Sequence, residues 1–118
     1  MRALVAGIAG ASVMLAASSA TAHSLLLEAR PAANTAVVAP PRVTLRFNNR
    51  IEKRLSRVTI VDAGHVRHDL AMVAAEGATD TLTLLAPPLA PGPYQVEWQV
   101  LSADGHVVSG RYGFRVMP

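Results

Sequence analysis

Between Arg42 and Phe47 the chain alternates, with Val43, Leu45 and Phe47 on one side and Arg42, Thr44 and Arg46 on the other. A period of two is the mark of a half-buried strand. The rhythm returns in TDTLTLL, where Leu82 and Leu84 share a face. In YQVEWQVLS it sets Tyr94, Val96, Trp98 and Val100 against Gln95, Glu97 and Gln99, and GRYGFRV repeats it with Tyr112, Phe114 and Val116. RVTIVD runs into a turn at Ala63 and Gly64, the stretch SLLLEA opens the series, and a weaker strand lies near VRHDL. Turn-rich breaks separate these runs: RPAANTAVVAPP, DAGH, LAPPLAPGP and SADGH.

No segment after residue 22 sustains a 3.6-residue period. About seven short strands with frequent turns predict an all-β, immunoglobulin-like antiparallel sandwich or barrel. The stripe that includes Trp98 is the expected core. Pro40, Pro41, Pro87, Pro88, Pro91 and Pro93 fix chain entry into strands by restricting φ, and they carry no chemistry of their own.

The first 22 residues follow different rules. Arg2 precedes the uncharged apolar run ALVAGIAGASVMLAA, and Ala20, Thr21 and Ala22 are the small residues a signal peptidase reads. The run is shorter than the roughly 20 apolar residues of a membrane span and passes into SSAT. We therefore expect residues 1–22 to be a cleaved signal peptide and residues 23–118 to be one exported domain. No second long apolar run follows, so no membrane insertion of the mature chain is expected.

Charge and cysteine content narrow the function. Removal of Arg2 lowers the formal charge from +3 to +2, too weak a bias for nucleic acid. The basic cluster Arg50, Lys53, Arg54 and Arg57 is interrupted by Glu52 and reads as a solvated loop or edge. With no cysteine, the domain must hold by packing alone, and thiolates are excluded from any metal site or catalytic scheme.

Cleavage after Ala22 would make His23 the first residue. An N-terminal histidine offers its α-amine and its imidazole Nδ1, which close a chelate ring on one metal ion. Asp104 and His106 flank Gly105 in SADGHVVSG, at the end of the Trp98 strand; alone, that tripeptide is ordinary turn chemistry. Together with His23 it makes a set of three nitrogens and one oxygen, the donors Cu(II) prefers in a tetragonal plane. Zinc could use the same atoms in a tetrahedral arrangement.

Three features together carry a resemblance: the histidine after the leader, LRFN on an early strand, and LAPGPYQVEWQVLSADGHVVSGRYGFRV at the end. The last holds Gly-x-Tyr-x-Val-x-Trp, Ser-x-Asp-Gly-His and Gly-x-x-x-Phe. Over essentially the whole mature chain the sequence resembles the CopC family of periplasmic copper-binding proteins. The resemblance implies a Greek-key β-sandwich or barrel holding one Cu(II) per chain through His23, Asp104 and His106, in copper homeostasis and resistance. It also implies a copper-transporting inner- or outer-membrane protein as partner. Some relatives add a methionine-rich Cu(I) loop; after the leader this chain has only Met72 and Met117, so it resembles the Cu(II)-only members. Relatives often carry an acidic residue where this chain has Asn49.

His65 and His68 are expected to be solvent-exposed residues of a hairpin. The leading expectation is a carrier or buffer, not an enzyme. One rival is an oxidase of the lytic polysaccharide monooxygenase type, which also chelates copper through an N-terminal histidine on an immunoglobulin-like sandwich. Against it, Asp104 would fill the coordination plane, and the five aromatics fall mostly on inward stripes. The other rival is a metal-free interaction module.

Overall fold

The computed structural model describes residues 25–73 and 78–118. The expected signal peptide, its cleavage point and His23 lie outside the described residues. Among the described residues nine strands form: β1 (Leu26–Arg30), β2 (Ala36–Val37), β3 (Arg42–Phe47), β4 (Arg57–Val61), β5 (Arg67–Asp69), β6 (Ala71–Met72), β7 (Thr81–Leu85), β8 (Gly92–Leu101) and β9 (Val107–Val116). They build two sheets, in the orders β1-β3-β7-β6 and β2-β9-β8-β4-β5. The architecture is the expected all-β, immunoglobulin-like sandwich. Every pairing is antiparallel except the short parallel contact of β2 with β9. A 3₁₀ turn, Lys53–Leu55, precedes β4.

The count exceeds seven for two local reasons. Ala36–Val37 lies inside a turn-rich segment and pairs with only two residues of β9, too short a stretch to show a period. The weak strand near VRHDL is divided: β5 pairs with β4 in one sheet and β6 pairs with β7 in the other. The chain changes sheet at Leu70, which is buried in the core.

The predicted inward stripes close on one another. Val43, Leu45, Phe47, Leu82, Leu84, Val96 and Val100 are fully buried, with Ile60 and Val58 from β4. Each such side chain stabilises the fold by about 1.5–3 kcal/mol on burial, and with no disulfide this packing carries the stability. Trp98 is not the core's centre. It is half-buried and packs against the core with its indole edge-on to Phe47, ring centroids 6.3 Å apart, and tilted against Tyr112 at 6.1 Å. Across the ladder Gly110 stands opposite Trp98, and the indole covers the space a side chain there would need.

Candidate metal centre

The β8–β9 hairpin is paired without interruption from Gly92 and Val116 to Leu101 and Val107. That long ladder presents its closing loop, residues 102–106, at one end of the sandwich. Inside the loop the Ser102 N–H donates to the His106 carbonyl at 2.8 Å and the Gly105 N–H to the Ser102 carbonyl at 2.9 Å. Gly105 takes φ +91, a left-handed value that a residue without Cβ adopts at little cost. The tripeptide Asp-Gly-His is thereby folded so that its outer residues meet.

Asp104 accepts the His106 backbone N–H on Oδ1 at 3.1 Å, and the same oxygen lies 3.2 Å from His106 Nδ1. The His106 amide holds the carboxyl below the usual carboxylate range, with further help from the imidazole and from Ser102. Asp104 is thus ionised at neutral pH and offers an anionic oxygen beside an imidazole. Both residues are exposed, which leaves the pair open to an incoming ion.

The loop is fastened to a second segment. The Ala103 N–H donates to the Arg50 carbonyl and the Glu52 N–H to the Leu101 carbonyl, each at 2.9 Å, while Ile51 and Ser102 form an isolated bridge. Half-buried Asn49 donates from Nδ2 to Ser102 Oγ at 3.3 Å and accepts the Arg50 N–H at 2.8 Å. The other side of this strip holds the start of the described chain: the Leu25 N–H donates to Asn48 Oδ1 at 2.7 Å, and the Asn48 N–H donates to the Leu25 carbonyl at 2.9 Å. Residues 48–50 therefore link the entry of β1 to the loop of Asp104 and His106. Asn48 and Ser102, which is 1% exposed, are structural members of the site that spacing and residue type alone did not single out. The asparagine pair in RFNN was the available signal, since asparagine side chains bond neighbouring backbone.

Among the described residues no group of three or more His, Cys, Asp or Glu side chains converges on one point. Asp104 and His106 are a pair; His23 lies outside the described residues. The remaining histidines sit elsewhere. Asp62 accepts the Gly64 and Val66 N–H groups at 2.9 and 3.0 Å and shapes the β4–β5 turn, with His68 Nε2 3.3 Å from its other oxygen. His65 is exposed at the tip with φ 62. The register sets Val61 opposite Gln95, six residues down β8 from Leu101. At about 3.4 Å per residue that is roughly 20 Å from the loop, so these histidines belong to the other end of the molecule.

Met72 and Met117 lie against different sheets. Met72 pairs with Leu84 in the four-stranded sheet, whereas Met117 follows β9 and donates its N–H to Val37 beside the five-stranded sheet.

Comparison with known proteins agrees with this fold. The model of the CopC domain matches residues 26–117. Copper resistance protein C of Escherichia coli is 32% identical over 117 residues, spanning 92% of this chain and 93% of that one. Copper resistance protein C of Pseudomonas syringae pv. tomato is 31% identical over 113 residues, 90% of each chain. The crystal structure of CopC from Methylosinus trichosporium OB3b superposes with a TM-score of 0.72 at 41% identity, covering 81% of this chain and 95% of that one. The structure of PcoC, a methionine-rich copper resistance protein from E. coli, gives 0.68 at 30% identity, with 80% and 99% covered.

Proposed function

The chain belongs to the CopC family, and from that premise we propose that it is a periplasmic Cu(II) carrier or buffer in copper homeostasis and resistance. Copper is its cargo, and the protein binds and releases it without catalysing a reaction. The signal peptide of residues 1–22 is removed on export, which frees the amine of His23. One Cu(II) is then held by that amine, the His23 imidazole, the His106 imidazole and the Asp104 carboxylate. The nitrogen-rich donor set suits Cu(II), which takes nitrogen and oxygen ligands in a tetragonal plane. With only Met72 and Met117 after the leader, far apart in sequence, the chain has no methionine-rich loop for a second, soft Cu(I) site. A copper-transporting membrane protein is the proposed giver or receiver of the ion.

One observation carries this reading: the strip of residues 48–50 hydrogen-bonds to Leu25 on one side and to the Asp104 loop on the other. His23 is two residues from Leu25, and two residues reach at most about 7 Å. The start of the described chain thus lies at the end of the sandwich that bears Asp104 and His106, which supports His23 as their proposed fellow ligand.

The test uses protein secreted with its leader. Mass spectrometry should find the mature chain beginning at His23, and a Cu(II) titration followed by EPR should show one tight tetragonal site rich in nitrogen. One extra residue placed before His23 turns the amine into an amide and should weaken binding sharply. If copper binds equally well to the extended protein, the ligand set is wrong.

A further inference from the structure

The outer face of the five-stranded sheet carries a groove of about 540 Å³, and the lining side chains include Arg57, Arg67, Glu97, Gln99, Ser109 and Arg111. Their placement follows from strand periodicity. Arg57 and Thr59 alternate with inward Val58 and Ile60; Glu97 and Gln99 alternate with Val96 and Val100; Ser109 and Arg111 alternate with Val108 and Tyr112. The register sets Arg57, Gln99 and Ser109 in one row and Thr59, Glu97 and Arg111 in the next.

On this face three arginines, Arg57, Arg67 and Arg111, meet two carboxylates, Glu97 and, at the β5 edge, Asp69, which accepts the Thr59 hydroxyl at 3.0 Å. Arg67 donates to Glu97 at 2.7 Å, which occupies the one carboxylate in the lining. Arg57 and Arg111 form no ion pair among the described residues. Both are exposed, with the amide of Gln99 and the hydroxyl of Ser109 between them. Toward the loop of Asp104 and His106 the next row is Leu101 and Val107, and Val107 is 58% exposed. The groove is cationic in the middle and apolar at the lip beside the loop.

We propose that this groove docks an acidic polypeptide segment of a partner protein. Guanidinium groups match carboxylates in a two-point fit, and the unpaired Arg57 and Arg111 supply the charge that such a segment complements. Arg57 and Arg111 lie two strands and two residues apart, about 12 Å between Cα atoms. Acidic residues three or four positions apart in an extended segment span that distance. An apolar residue of the same segment would lie on Val107, next to the loop. The amides and hydroxyls between the arginines suit a peptide backbone better than a lipid surface.

The docking claim stands on the groove alone, and its test is run without copper, so its failure leaves the copper reading untouched. The ¹⁵N-labelled mature protein is titrated with acetylated hexaglutamate amide at low ionic strength, with hexaglutamine as control. Backbone shifts at residues 57, 99, 109 and 111 are expected, abolished by 0.5 M NaCl. Arg57→Gln with Arg111→Gln should weaken the interaction at least tenfold. Arg30→Gln with Arg42→Gln, which removes equal charge from the other sheet, should change it less than twofold. The proposal is overturned if hexaglutamate leaves these amides unmoved, if both double variants weaken binding equally, or if the shifts centre on residues 50–54. It is also overturned if vesicles of one part phosphatidylglycerol to three parts phosphatidylcholine move the groove amides and the peptide does not.

Discussion

Gly110→Ala tests whether the Trp98 indole really fills the place of a missing side chain. A Cβ at Gly110 would overlap Trp98 Cζ2 and lie 2.6 Å from Cε2 and 3.0 Å from Cη2, where carbon pairs ordinarily sit at about 3.5–4.0 Å. The ring has no easy retreat, because Phe47 meets it edge-on and Tyr112 lies against it. Overpacking of this kind costs roughly 1–3 kcal/mol, and each disturbed aromatic contact adds about 0.5–1.5 kcal/mol. Alanine in a strand regains about 0.5–1 kcal/mol of backbone entropy. The balance is a loss of about 2–3 kcal/mol, which at roughly 4–8 °C per kcal/mol for a domain of this size lowers Tm by about 10–20 °C. Trp98 is the only tryptophan, so urea unfolding followed by fluorescence reports both stability and ring position. Gly113→Ala is the internal control: its Cβ would meet only the Tyr94 carbonyl, at 3.6 Å, and should cost little. A Gly110→Ala loss under about 0.5 kcal/mol with unaltered emission would refute the packing argument.

Three further outcomes follow from the site and its surroundings. Asp104→Asn keeps an oxygen for the His106 N–H but loses the anionic donor, so Cu(II) affinity should fall at least tenfold, measured by competition with a chelator, while Tm stays nearly constant. Three of the proposed donors are nitrogens that must shed protons, whereas Asp104 is held ionised below the usual carboxylate range. Below about pH 6 the apparent copper affinity should therefore drop by about three log units per pH unit; a slope near one would mean that only one nitrogen binds. Tyr112 Oη is buried with no hydrogen-bond partner among the described residues, and burial raises its pKa. Ionisation is thus easier in the unfolded chain, so the parent should lose stability as pH rises past about 10. Tyr112→Phe should be about 1 kcal/mol more stable at pH 7, by urea unfolding, because an unsatisfied hydroxyl is removed, and its advantage should widen above pH 10.

Strand by strand, the fold was legible wherever a period of two lasted five residues or more. β3, β7, β8 and β9 each showed their buried face in sequence, and the inward residues of β3 and β7 are fully buried in the structure. Two-residue strands have no period to read, which is why β2 was taken for part of a break. The passage from β5 to β6 was hidden for another reason. All three residues of β5 are exposed and β6 is only two residues long, so VRHDL has no alternating face from which the switch at Leu70 could be read. The Trp98 stripe is core as its period implies, but Trp98 itself is only half-buried at the core's margin. The ring instead occupies the gap over Gly110, a relation set by the ladder register and not visible in either segment alone.

The site was half legible, and the reason lies in how far apart its parts stand in the chain. Asp104, Gly105 and His106 are neighbours, so the turn that brings a carboxylate to an imidazole is written in three residues, and the positive φ of Gly105 completes it. What joins that turn to the start of the domain is written in RFNN, more than fifty residues upstream of His106. Asn48 answers the backbone of Leu25, Asn49 reaches Ser102, and Arg50 offers its carbonyl to Ala103. None of the three needs metal chemistry to be useful, and Arg50 acts through a backbone carbonyl that any residue possesses. A connector of this kind has little signature in composition or spacing. Its effect is nonetheless specific, because it fixes Leu25 at the end of the sandwich where an ionised carboxylate and an imidazole already meet. Variation at Asn48 and Asn49 should therefore change copper affinity through the position of the N-terminus while leaving the Asp104/His106 turn intact.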